Sequence, residues 1–146
     1  MIGFFENQYL SYKKNHIKNL LALAKADGRV HEKEQKMLFK IGLRYGLKHG
    51  QVKTLMDSNE KFEVNVPDNH YDKMNVLYDL MLILHADGVV DKSEISYCEG
   101  VVKKFGMKKE VVRWLLNEVF EKGTPPPQDD WIALADVAKE KFETKK

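Results

Sequence analysis

Leu20-Leu21-Ala22-Leu23-Ala24-Lys25-Ala26-Asp27-Gly28-Arg29-Val30-His31-Glu32-Lys33-Glu34 aligns without a gap on Leu80-Met81-Leu82-Ile83-Leu84-His85-Ala86-Asp87-Gly88-Val89-Val90-Asp91-Lys92-Ser93-Glu94. The same offset of 60 carries Tyr45-Gly46-Leu47-Lys48 onto Phe105-Gly106-Met107-Lys108, Val52 onto Val112 and Leu55 onto Leu115. Identity is concentrated in Ala-Asp-Gly-x-Val-x-x-x-Glu, and apolar character is kept around it. A repeat of this kind organises everything else in a chain. Two units are too few for a solenoid, so the expectation is two pseudo-symmetric halves packed face to face around one core.

The period inside each unit is helical. Ile17, Leu20, Leu21 and Ala24 form a stripe at i, i+3, i+4 and i+7 ahead of the first Asp-Gly, as Leu77, Leu80, Met81 and Leu84 do ahead of the second. Gly28 and Gly88 fall where a left-handed glycine would close those helices. A second helix is predicted over roughly 32–45 and 92–105. It ends at Tyr45-Gly46-Leu47 or Phe105-Gly106-Met107, an aromatic, a glycine and an apolar residue in the order a Schellman stop requires. A third is predicted over about 48–58 and 107–122. Residues 59–68 read as an extended linker without a partner strand. Pro125-Pro126-Pro127 is a stiff break before a closing helix at about 128–142, with Trp131, Leu134 and Val137 expected inward. A further helix before residue 16 brings the count to seven or eight. The class is all-α, a single-domain bundle over 1–146 with halves at about 15–58 and 75–122.

Composition bounds the function. The 146 residues are 43% hydrophobic and 32% charged, which supports one core and excludes disorder. Lys plus Arg is 24 against 22 Asp plus Glu, a net charge of +2 that argues against nucleic-acid binding through bulk charge. The apolar run Leu80–Leu84 is far below the ~20 residues needed to span a bilayer. The N-terminus lacks a basic start and an apolar signal region, so a cytoplasmic location is expected. The one cysteine, Cys98, has no internal disulfide partner and reads as a small buried thiol in mid-helix.

The chemistry-bearing feature is the duplicated turn. Asp27 and Asp87 each sit beside a core stripe at a helix C-terminus, where the helix dipole disfavours a carboxylate. Two readings account for them. In the first the acids are caps: Asp91-Lys92-Ser93-Glu94 is a capping box, and His31 with Glu34 occupies the same places in the first half. In the second the acids hold a divalent cation. Asp-Gly-x-Val-x-x-x-Glu matches positions 5, 6, 8 and 12 of an EF-hand loop. Positions 1 and 3 are Leu23 and Lys25, or Ile83 and His85, so neither loop can wrap calcium alone. Were the two turns to meet, Asp27, Glu34, Asp87 and Glu94 would supply four carboxylates for Ca²⁺, Mg²⁺ or Mn²⁺, with Asp91 and Glu32 as further oxygen donors. His31 or His85 at the edge would favour a transition metal. Clustered carboxylates could also hold a two-metal hydrolase site, but all four acids would be consumed as ligands with no general base or oxyanion donor beside them, so no residue reads as catalytic and the chain is expected not to be an enzyme.

The paired Ala-Asp-Gly-x-Val-x-x-x-Glu units, followed by Tyr45-Gly46 and Phe105-Gly106, resemble the TerB-like family of tellurite-resistance-associated proteins, whose fold also forms the N-terminal domain of the DjlA-type membrane co-chaperone. The resemblance covers roughly residues 10–120. It implies an all-helical pseudo-symmetric bundle, an acidic metal site mapping onto Asp27, Glu34, Asp87 and Glu94, and a non-catalytic role in stress or tellurite response through protein partners, some of them membrane-associated. His31, standing where the second half has Asp91, departs from a fully acidic pattern. The other histidines, His16, His49 and His70, have no partner at helical spacing and are expected to face solvent or cap. The basic clusters Lys13-Lys14-Lys18 and Lys103-Lys104-Lys108-Lys109 read as solvated faces, with weak contact to anionic lipid or an acidic partner as the alternative, and Trp114, Trp131, Phe120 and Phe142 as the packing of the tail.

Overall fold

The computed structural model describes residues 4–25, 30–58, 63–86, 88, 90–121 and 124–144, with side chains for all of these except 4–12 and 128. The chain is all-α, with seven helices and no strand among the described residues. Its contacts divide it into two compact units, Met1–Asn65 and Val66–Lys146.

The first unit contains α1 (Phe4–Ala24), α2 (Glu32–Arg44) and α3 (His49–Asp57), each packed against the other two. The expected extra helix before residue 16 does not exist, because α1 runs unbroken from residue 4. Its buried face is wider than the four-residue stripe implied: His16, Ile17 and Asn19 through Ala24 are all buried. Leu38 and Ile41 of α2, Leu47 of the turn that follows it and Val52 of α3 close the core. At ~25 cal/mol per Å² of apolar surface removed from water, such side chains contribute roughly 1.5–3 kcal/mol each, before the conformational entropy they lose.

The second unit contains α4 (His70–Leu84), α5 (Lys92–Lys104), α6 (Glu110–Trp114) and α7 (Gln128–Phe142), with α6 continuing into a π-helical turn, Leu115–Val119. α4 packs on α7, and α6 on α5 and α7. The third helix here starts three residues later than the expected 107. Met107 is held instead by its amide on Val102 O (2.9 Å) and an isolated antiparallel bridge to Glu143. Lys108 N–H donates to Phe142 O (2.7 Å) and Thr144 N–H to Gly106 O (2.8 Å), tying the tail to this turn. The π turn arises because Phe120 N–H donates to Leu115 O, five residues back, at 2.7 Å. It lowers Phe120 into the core, edge-on to Tyr78 and Trp131 and face-on to His85.

Both α2 and α5 end as their sequences require. Gly46 and Gly106 have φ of 81° and 79°, and the amides of Leu47 and Met107 reach back to Gly42 O and Val102 O, as Schellman stops do. Gly88 is also left-handed (φ 80°), but α4 has already ended at His85, three residues earlier, and Gly88 only donates to His85 O. Gly28 lies outside the described residues. On α7 the inward stripe is Trp131, Ala135 and Ala138, not Trp131, Leu134 and Val137. Val137 is exposed and Leu134 half-buried. The two alanines let α7 come close enough to α4 for the His70 ring Nε2 to hydrogen-bond Ala135 O at 2.7 Å.

Candidate functional site

The duplicated turn is built by two helix pairs, α1 with α2 and α4 with α5. Asp27 and Asp87, the first acid of each expected set, lie outside the described residues. Leu23 and Ile83, which take EF-hand position 1, are buried side chains in the last turns of α1 and α4. At position 3, Lys25 donates its ammonium to Ser58 O at the end of α3 (2.8 Å), and His85 Nδ1 bonds Met81 O (2.8 Å). Neither position offers an oxygen to a cation, so the calcium loop the spacing imitates is incomplete in both halves.

The second acids are both turned onto their own helix starts. Glu34 is buried, 5% exposed, and its Oε1 accepts from the His31 amide at 3.0 Å. Glu94 is half-buried, and its Oε1 accepts from the Asp91 amide at 3.4 Å. Asp91 completes the box: its Oδ1 accepts from the Glu94 amide (2.9 Å) and from the Ser93 hydroxyl (2.6 Å). The Ser93 hydroxyl, and then the Glu94 amide, hold the Asp91 carboxyl below its ordinary range. Glu32 is exposed and paired with Lys36 along the outer face of α2 (3.5 Å).

The structure thus brings together Asp91 with Glu94 and His31 with Glu34, each pair within one helix start, and sends Glu32 outward. Among the described residues, no three His, Cys, Asp or Glu side chains converge in a group able to hold a metal ion.

Polar burial elsewhere escaped the sequence reading. His16, expected in solvent, is buried and its ring lies 4.4 Å from that of Tyr45. It sits on α1 at the edge of the widened apolar face, where the Tyr45 ring covers it. Asn19 and Asp79 are buried too, at 4% and 0% exposure. Asp79 is Asn19 advanced by 60, so one polar position recurs inside both repeats. Extending the alignment one residue upstream of Leu20 and Leu80 would have exposed it. No buried polar side-chain atom among the described residues lacks a hydrogen-bond partner. His49 stacks on Phe39 (3.9 Å), and Trp114 meets Phe142 (5.5 Å) as the tail reading requires.

No protein-family model, curated protein or solved structure matches the chain. Among the described residues, no helix is long and apolar enough to cross a membrane.

Proposed function

We propose that the protein is a non-enzymatic, cytoplasmic protein-interaction module of the TerB-like kind, acting in stress or tellurite response, in which Glu34, Asp91 and Glu94 are structural caps. The observation that supports the capping role is the reciprocal bonding at the start of α5, Asp91 N–H to Glu94 and Glu94 N–H to Asp91, matched at α2 by His31 N–H to Glu34. A carboxylate that satisfies an orphan amide and faces the positive end of a helix dipole already has its favourable environment. The duplicated motif and its two glycine stops support the family reading.

A second reading keeps a divalent cation, Ca²⁺, Mg²⁺ or Mn²⁺, on Asp27, Glu34, Asp87 and Glu94. Its support is the burial of Glu34, since desolvating a carboxylate is costly and a cation offsets that cost well. One experiment separates the two. Calorimetric titration with Ca²⁺, Mg²⁺, Mn²⁺ and Zn²⁺ is run on the wild type and on Asp27→Asn/Asp87→Asn, with melting curves in the presence and absence of chelator. Capping alone gives no saturable heat and a melting temperature indifferent to chelator. Saturable heat in the wild type that vanishes in the double variant establishes the cation instead.

A further inference from the structure

Within the first unit, α1 and the start of α3 enclose an open groove of about 420 Å³, lined by Lys14, Lys48, Gly50, Gln51, Thr54 and Leu55. The volume lies in the range of roughly 300–1,000 Å³ typical of small-molecule sites. Its two cations come from different elements, Lys14 from α1 and Lys48 from the cap before α3, and among the described residues neither ammonium has an ion-pair or hydrogen-bond partner. No carboxylate lines it, and the acid on the same helix, Asp57, is held by Lys53 at 3.0 Å. The surrounding field has the same sign. Residues 1–65 carry 12 Lys plus Arg against 7 Asp plus Glu, a net charge of +5, whereas residues 66–146 carry 12 against 15, net −3.

We propose that this groove binds a phosphomonoester carried on a hydroxylated, non-aromatic carbon skeleton. Lysine ammoniums are point charges of the kind that binds a compact phosphate dianion, and both lysines line the groove, which lacks the planar arginine fork that recognises carboxylates bidentately. Gln51 already uses its Oε1 to accept from the Lys48 amide (2.8 Å), which turns its NH₂ into the group left to donate. The Thr54 hydroxyl gives its proton to Gly50 O (2.8 Å), so its oxygen is left as an acceptor for a ligand hydroxyl. Leu55 and the lysine stems form an apolar wall for a short carbon chain, and no aromatic ring lines the groove to stack a base. This inference is independent of the role of the turn acids.

The test measures binding of inorganic phosphate, glycerol 3-phosphate and glycerol by calorimetry, and of phosphatidylcholine vesicles with and without phosphatidic acid by co-sedimentation. The proteins are the wild type, Lys14→Gln, Lys48→Gln and, as a charge control outside the groove, Lys40→Gln. Glycerol 3-phosphate should bind better than phosphate and glycerol not at all. Each groove variant should weaken binding about tenfold, and Lys40→Gln should leave it unchanged. Binding confined to phosphatidic acid vesicles, with the same dependence on Lys14 and Lys48, assigns the phosphate to a lipid headgroup. Shifts of the Gly50 and Gln51 amide resonances on adding glycerol 3-phosphate to the wild type give a readout that needs no variant. Absence of binding in every arm, or equal weakening by Lys40→Gln, overturns the proposal.

Discussion

The side-chain amide of Asn19 is hydrogen-bonded in both directions to the backbone of Asn65: Nδ2 donates to Asn65 O at 3.0 Å and Oδ1 accepts from Asn65 N–H at 2.8 Å. A buried carboxamide on α1 thereby does for the linker what a neighbouring strand would do. The 63–67 segment belongs to no helix and pairs with no strand among the described residues, so its backbone polar groups need other partners. Asn19→Ala should destabilise the protein by about 1 kcal/mol, because two hydrogen bonds from a buried side chain are lost while the exposed Asn65 backbone recovers water as a partner. Asn19→Asp should be at least as damaging above pH 5, since a carboxylate oxygen would replace the donor facing Asn65 O. Urea unfolding of both variants checks this, and wild-type stability in Asn19→Asp would contradict the two-way bond.

Gly42 marks a close approach of α2 to α3. A Cβ built there would stand 2.5 Å from Val52 Cγ2, on the α3 side of α2. Both residues are buried. Gly42→Ala should therefore cost about 1–3 kcal/mol through overpacking, against the gain in helix propensity that alanine normally brings. Val52→Ala removes the obstructing methyl groups at the cost of a cavity. In the double variant the two penalties should sum to less than their parts, and a double-mutant cycle on urea midpoints measures the shortfall. Strict additivity would show that the helices separate freely.

The legible part of this fold is the part written in local periodicity and stop signals. α2 and α5 occupy 32–44 and 92–104, within a residue of their expected spans, because each has a cap box at one end and a Gly-apolar stop at the other. α7 matches its expected span of 128–142 because a proline run forces its start. What failed depends on packing that periodicity does not encode. Val137 and Ala138 are adjacent, and only the closeness of α4 decides that the alanine is the one turned inward. The π turn that buries Phe120 leaves the apolar pattern Leu115, Leu116, Val119 intact, so a regular helix and a widened one look alike in sequence. The acids of the turn were legible as a repeated pattern. Whether a carboxylate caps an amide or meets a cation is decided by the direction its side chain takes, and Glu34 and Glu94 both take the direction of their own N-cap amides.

Cys98 provides a probe of the second core. It is fully buried in α5, and burial first, then the charges of Glu94 and Glu99, push its thiol up to about 12. At pH 8 the thiolate fraction in the native protein is therefore negligible. Reaction with a disulfide reagent should proceed only through opening of the structure, at a rate that rises with urea in parallel with unfolding. Labelling within seconds in native buffer would mean that α5 exposes this side chain.

Acid should loosen the start of α5 as the Asp91 carboxyl takes up its proton. The Asp91 carboxyl is held below its ordinary value of 3.8 chiefly by the Ser93 hydroxyl, then by the Glu94 amide. A carboxyl whose folded pKa is depressed stabilises the native state above its unfolded pKa, and that contribution fades as pH falls through the folded value. The α2 cap has His31 where α5 has the aspartate. Ser93→Ala removes the largest cause of the depression, so the Asp91 pKa read by carboxyl NMR should move up toward 3.8 and the acid limb of the melting curve should shift to higher pH. Asp91→Asn keeps an acceptor at the cap but not the charge. Its melting temperature should lie below wild type at pH 6, and the gap should narrow as the pH falls below 3.8 and through the folded Asp91 pKa, where the wild-type carboxyl loses its charge. A gap of constant size from pH 6 to pH 2 would show that the Asp91 charge plays no part in holding the helix start.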